Sequence, residues 1–158
     1  MSRIDFKNCT LKIKDGSSNS VTVKFGEGNF TYTTTKEMNY YPDRGILDDV
    51  VEGDQVPMDV SFEGVWEYIR SPATTAAPTV EEALKKIGGA ADWVSTDDDD
   101  CRPYAVDLEF ENDPNCSADT ETLTFPDFRC ETVEHDASAN TLSFSGKCNA
   151  IEPTSVRT

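Results

Sequence analysis

Two long stretches of this chain, residues 29–41 and 56–69, alternate between polar and apolar positions. The even positions are Phe30, Tyr32, Thr34, Lys36, Met38 and Tyr40, then Val56, Met58, Val60, Phe62, Gly64, Trp66 and Tyr68. The odd positions are Thr31, Thr33, Thr35, Glu37 and Asn39, then Asp59, Ser61, Glu63 and Glu67. Successive side chains on a strand point to opposite faces, so the pattern predicts two strands of a sheet buried on one face and wet on the other. The wet face is rich in hydroxyls and carboxylates, and none of its named positions is basic.

Around these strands the punctuation is clear. Residues 9–14 and 20–25 read as short strands joined by the turn Asp15-Gly16-Ser17-Ser18-Asn19-Ser20. Residues 42–55 (PDRGILDDVVEGDQ) read as a loop far longer than a hairpin turn, and such loops in compact domains are usually functional or ordered by a partner. The stretch 71–78 (SPATTAAP) has linker composition and leads into a capping-box pattern, Thr79 with Glu82. A short helix within 79–88 then places Val80, Leu84 and Ile87 on one face, with Gly88 and Gly89 as its stop. Three further strands follow: 102–111, 121–134 with a bend near Pro126, and 140–150. Segments 128–135 and 140–148 flank a polar turn at Asp136–Asn140 and form a predicted hairpin. The sum is one mainly β domain over 1–158, with one short helix and a long inter-strand loop.

Composition narrows the partners. The 158 residues include 30 acidic and 14 basic side chains, for a net charge of −16. That balance argues against binding a nucleic-acid backbone, which needs concentrated Lys and Arg, and against docking on anionic lipid. No stretch approaches the roughly 20 apolar residues of a membrane span. The start, MSRIDFKNCT, lacks the apolar core of a signal peptide, so synthesis in the cytoplasm without export by that route is expected.

The cysteines are Cys9, Cys101, Cys116, Cys130 and Cys148, with no CxxC pair among them. Folding the 128–148 hairpin about its turn brings Cys130 near Cys148, while Cys101 and Cys116 flank another strand and turn. Disulfides are open at both places in oxidising surroundings, as is a metal tetrad of these four, and Cys9 is then the odd thiol. The run Asp97–Asp100 lacks the alternating ligands, central Gly and terminal Glu of an EF-hand loop, and reads as a solvated loop. His135 is the only histidine and lies at a predicted turn. With no phosphate loop, dinucleotide fingerprint, GxSxG or HExxH present, the sequence points away from an enzyme and calls for no cofactor.

The segment TYTTTKEMNYYPDRGILDDVVEGDQVPMDVSFEGVWEYI resembles the major tail tube protein of tailed bacteriophages, of the siphophage-like kind. The likeness is carried by Asp43-Arg44-Gly45, Gly53-Asp54 and Met58-Asp59-Val60-Ser61-Phe62. Near the chain end, Phe125-Pro126-Asp127-Phe128 followed by Ser145-Gly146-Lys147-Cys148-Asn149 adds to it.

The resemblance implies a β-sandwich or barrel-like fold with a flanking helix. It implies hexameric rings stacked into a hollow tube that conducts the genome, in a virion tail made in the host cytoplasm. The polar positions Thr31, Thr33, Thr35, Glu37, Asp59, Ser61, Glu63 and Glu67 then face the lumen, where DNA passes without specific binding. The loop residues Asp43, Arg44, Gly45, Ile46, Leu47, Asp48, Asp49, Val50 and Val51 then contact the adjacent ring. Implied partners are further copies of the chain, a tail tip or initiator, a terminator and a tape measure protein, with no membrane; a non-contractile tail is expected on resemblance alone.

Two rivals stand beside this reading. One is a monomeric β-sandwich binding module using Tyr40, Tyr41, Trp66 or Trp93 as an aromatic platform. The other is a secretion-system tube of the same fold.

Overall fold

The structure is a computed structural model that describes residues 3–66, 78–113 and 119–157. Glu67 and Cys116, both named above, lie outside the described residues.

The chain runs β1 (Cys9–Lys14), β2 (Ser20–Thr22), β3 (Phe30–Thr33), β4 (Lys36–Asp43), β5 (Ile46–Gln55), β6 (Met58–Val65), α1 (Val80–Lys85), β7 (Val106–Asn112), β8 (Glu121–Asp136), β9 (Thr141–Cys148) and β10 (Thr154–Arg157). It is mainly β, as the alternation predicts. One antiparallel sheet follows the order β2-β1-β7-β8-β9-β6-β3, with β10 added beside β8. Its two end strands, β2 and β3, are consecutive in the chain, and the segment between them closes the gap. The Val23 N–H donates to Leu11 O, Val65 N–H to Lys24 O and Glu63 N–H to Asn29 O. The sheet therefore curls into a barrel-like body.

Strands β1, β6, β7 and β9 bury alternate residues. Leu11 and Ile13 of β1, Met58, Val60 and Phe62 of β6, Leu108 of β7 and Phe144 of β9 meet in one core. Aromatic rings span it: Phe30 of β3 stacks on Phe110 of β7 at 4.7 Å, and Phe62 stacks on Phe144 at 5.1 Å. Strand β8 shows how a bend is written into sequence. In regular alternation Phe125 and Phe128 would face opposite sides, yet both are fully buried. Between them Asp127 takes φ 51 and the β7–β8 register slips, which turns both rings inward. The predicted hairpin is present, with Phe128 opposite Cys148 and Asp136 opposite Thr141.

Helix α1 caps one side of the barrel. Thr79 is its N-cap, accepting the Glu82 N–H at 3.3 Å. The helix ends earlier than the glycine pair suggests, because Lys86 adopts the left-handed C-cap conformation, φ 56. Ala83 and Leu84 pack inward, and the Tyr104 hydroxyl donates to Ala83 O at 2.9 Å.

Two expectations change. Residues 42–55 are not a loop: Ile46–Gln55 is a strand, paired antiparallel with β4 across a turn at Arg44-Gly45. Both turn residues have positive φ, 53 and 83, the signature of a two-residue hairpin turn. The long strand 29–41 is accordingly split at Thr34-Thr35, with β3 pairing β6 in the body and β4 pairing β5 outside it. Cys130 and Cys148 are both free thiols. Cys130 lies opposite Gly146, so the hairpin register sets Cys148 two residues away along the strand, opposite Phe128.

Candidate functional site

The β4–β5 pair forms a two-stranded sheet of its own. Its side chains are exposed almost throughout, including Tyr40, Tyr41, Ile46, Leu47, Val50 and Val51. At about 3.4 Å per residue, the ten residues of β5 give an arm on the order of 30 Å long. The expected inter-ring residues Asp43 to Val51 all sit on its distal half.

Pairing register resolves the arm into two faces, since residues opposite one another across an antiparallel pair share a side. Met38 faces Glu52, Tyr40 faces Val50 and Pro42 faces Leu47. Among the paired positions on that side the only charges are at the root, where Lys36 Nζ lies 3.3 Å from Glu52; Asp48 stands outside the register, at the bulge between Tyr41 and Pro42. The other side pairs Asn39 with Val51, Tyr41 with Asp49 and Asp43 with Ile46, and Glu37 lies over Gly53. There every apolar residue has an acidic neighbour.

The second candidate feature is the outer face of the body at β3, β6, β9 and the end of β8. One row across it reads Thr31, Ser61, Ser145, Thr132, and the next reads Thr33, Asp59, Lys147, Arg129. The Thr31 and Ser61 hydroxyls lie 2.7 Å apart, and Ser143 donates to Glu63 at 3.3 Å. The structure thus gathers Thr31, Thr33, Asp59, Ser61 and Glu63 of the predicted polar set on one face. It leaves Thr35 at the junction with the arm and Glu37 on the arm itself, because the alternating stretch breaks there.

Sequence reasoning missed two cations on this face. Lys147 pairs with Asp59 at 3.1 Å, and Arg129 leans off the face to Asp97 at 2.8 Å. Cross-strand register brings in both, and only a correct β6–β9–β8 pairing could have revealed them. The face is therefore hydroxyl-rich and mixed in charge, less acidic than its own strands suggest.

Elsewhere, polar groups serve the fold. Burial pushes the Asp15 carboxyl up, but hydrogen bonds from Asn19, Val94 and Ser17 outweigh it and hold the group below the usual carboxylate range. That carboxylate ties the first turn to the segment after buried Trp93. In the aspartate run, Asp97 accepts from the Asp99 N–H and from Arg129 and Arg102, which together hold it low. Asp99 in turn accepts the Cys101 N–H at 2.9 Å. Among the described residues no cluster of His, Cys, Asp and Glu is arranged to hold a metal ion. His135 is exposed, with Nε2 3.0 Å from Glu81. Burial pushes the Cys148 thiol up to about 12, helped by the charges of Asp107 and Asp127, so it stays protonated at neutral pH.

The aromatic platform is not assembled. Trp93 is buried, Trp66 is half-buried with its ring 5.2 Å from that of His135, and Tyr40 and Tyr41 lie on opposite faces of the arm.

No family model matches the sequence, and no curated protein matches it. Among solved structures, the fold is similar to a chain of the sheath/tube terminator of an extracellular contractile injection system, PVC, in the extended state. That match has a TM-score of 0.60 at 8% identity and covers 100% of this chain and 98% of the other. Further matches, both with TM-scores of 0.48, are to chains of the anti-feeding prophage baseplate (11% identity; 99% and 97% covered) and of the PVC sheath-tube complex in the extended state (8% identity; 99% and 91% covered). This chain shares its fold with that terminator chain.

Proposed function

We propose that this chain is a structural subunit of a phage-tail-like tube, without catalytic activity. Copies close into a ring, six-fold by the family resemblance, and rings stack through the β4–β5 arm. The hydroxyl-rich face of β3, β6 and β9 lines the channel. The observation that carries this reading is a closed, well-packed body from which an apolar hairpin stands clear. An isolated hairpin is marginal in water, so an arm of this kind is stable only when something covers it. The similarity of fold to a chain of a tail-like terminator assembly supports the same conclusion.

A hydroxylated wall with paired charges suits passage of DNA. It offers hydration and gives a polyanion no concentrated cation to bind, while residual carboxylate repulsion reaches only about 8 Å at physiological salt. Partners in this reading are further copies of the chain, an initiator, a terminator and a tape measure protein, within a virion tail.

A second reading is favoured by the PVC terminator match, which spans both chains almost completely. In it the chain forms one closing ring at the tube end. The injection-system likeness also gives no support to a non-contractile tail in particular.

Electron microscopy of the purified protein over a range of concentration and salt, with and without tail initiator proteins, tests these readings. Long hollow tubes are expected for a tube subunit, and deletion of residues 44–53 should leave folded subunits or single rings. Wild-type rings that never stack would favour the terminator. A monomer that persists with initiator present would overturn both and revive the binding module.

A further inference from the structure

We propose that the arm seats one defined face on a second copy of this chain: the face of Met38, Tyr40, Pro42, Leu47 and Val50, with Arg44 at the tip against carboxylates of that copy. The face of Glu37, Asp43 and Asp49 stays in solvent. This rests on the tube reading and adds which side of the arm is covered and by what.

The asymmetry follows from register. On the first face the paired positions from Met38 to Leu47 are apolar apart from Glu52, which Lys36 neutralises at the root, and Asp48 stands at the bulge outside the register. Burying those paired positions desolvates no carboxylate that lacks a partner, since Glu52 keeps Lys36. Burying the opposite face would desolvate Asp43 and Asp49, which costs several kcal/mol per ion unless each meets a cation. Two matched pairs make the contrast clean. Leu47 and Ile46 are 76% and 73% exposed, and Val50 and Val51 are 51% and 48% exposed, yet each pair is divided between the two faces.

Charge identifies the occupant. Beyond the Lys36–Glu52 pair, Arg44 is the arm's only cation, and it stands at the extreme tip. It does so with φ 53, where turns prefer Gly, Asn or Asp, so a long cationic side chain is held where backbone preference disfavours it. The rest of the chain is strongly acidic, carrying most of a net charge of −16. A second copy therefore offers an acidic surface, which attracts Arg44 and repels the acidic side of the arm. A basic partner would select the opposite face.

The test compares full-length Val50→Asp with Val51→Asp, and Leu47→Asp with Ile46→Asp, by sedimentation velocity and electron microscopy. Val50→Asp and Leu47→Asp should raise the concentration needed for assembly by at least about tenfold, as loss of a central interface residue does. Val51→Asp and Ile46→Asp should change it by less than about threefold. Arg44→Glu should weaken assembly about tenfold and reduce its dependence on salt. All should melt like the wild type as monomers, because the arm is not part of the core. Equal effects on the two faces, or larger ones for Val51→Asp, would overturn the face assignment. A wild type that never self-associates, with initiator present, would overturn the second copy as occupant. Oligomers that are not hollow would refute the tube reading alone, leaving the comparison of faces intact.

Discussion

Strand β6 and the β4–β5 arm are written in the same alternating code, and they end in opposite environments. Met58, Val60 and Phe62 of β6 are at most 1% exposed, while Tyr40 and Leu47 of the arm are 62% and 76% exposed. Strand β6 has β9 on one side and β3 on the other, and its apolar face closes over the rings of the opposite wall. The arm strands have only each other. Alternation thus says which side chains share a face. What covers that face depends on pairing, and within the described residues the apolar side chains of the arm are left exposed.

Substitutions should separate the regions sharply. Phe125→Ala in the body should cost about 3–5 kcal/mol of unfolding free energy by leaving a large cavity. Tyr40→Ala should stay within about 0.5 kcal/mol for the monomer, since the ring is 62% exposed and stands outside the core. Urea unfolding at a concentration below assembly reads both, and comparable losses would mean that the arm packs on the body.

Gly146→Ala comes next. A Cβ there would lie 2.0 Å from Arg129 O of the adjacent strand, so β8 and β9 must part. The expected loss is about 1–3 kcal/mol, measured in the same way. Gly45→Ala, at the open tip of the arm, should leave monomer unfolding nearly unchanged despite its positive φ.

Acid should loosen the body through its first turn. The Asp15 carboxyl is held below its unfolded value of about 3.9, so its contribution is complete above that pH and is lost as pH falls through the folded value. Burial, with the charge of Asp127, raises Asp107, whose contribution therefore grows as pH falls and partly offsets the loss. Asp15→Asn should flatten the decline of stability between about pH 5 and pH 3, as read from urea midpoints. An unchanged acid limb would remove Asp15 from the account. The smallest effect concerns thiols: Cys101 is exposed and should react with a thiol reagent in the native protein, whereas buried Cys148 should react only on unfolding.

Much of the body was legible in sequence. The 9–14 strand, the first half of the expected 20–25 strand (Ser20–Thr22 in the fold), the Thr79 cap, the 128–148 hairpin and the even-numbered core of β6 all follow from local pattern and turn chemistry. The arm was not, because Arg44-Gly45 lacks the usual Asn-Gly or Asp-Gly signal and the bulge near Tyr41 and Pro42 blurs the alternation of β5. Strand β10 escaped because it is short, exposed and preceded by proline. For the site, that Thr31, Asp59, Ser61 and Glu63 share one polar face was legible, since they lie on two directly paired strands. Lys147 and Arg129 were not, because long-range pairing decides what stands beside a residue, and no local pattern encodes it.

The most direct measurement is a cryo-electron microscopy map of the assembled full-length protein at a resolution that traces strands. The account predicts Thr31, Asp59 and Ser61 on the wall of a central channel, with the Tyr40, Leu47 and Val50 side of each arm pressed on a neighbouring copy. Arms projecting free into solvent, or that polar face on the outside of the assembly, would contradict it.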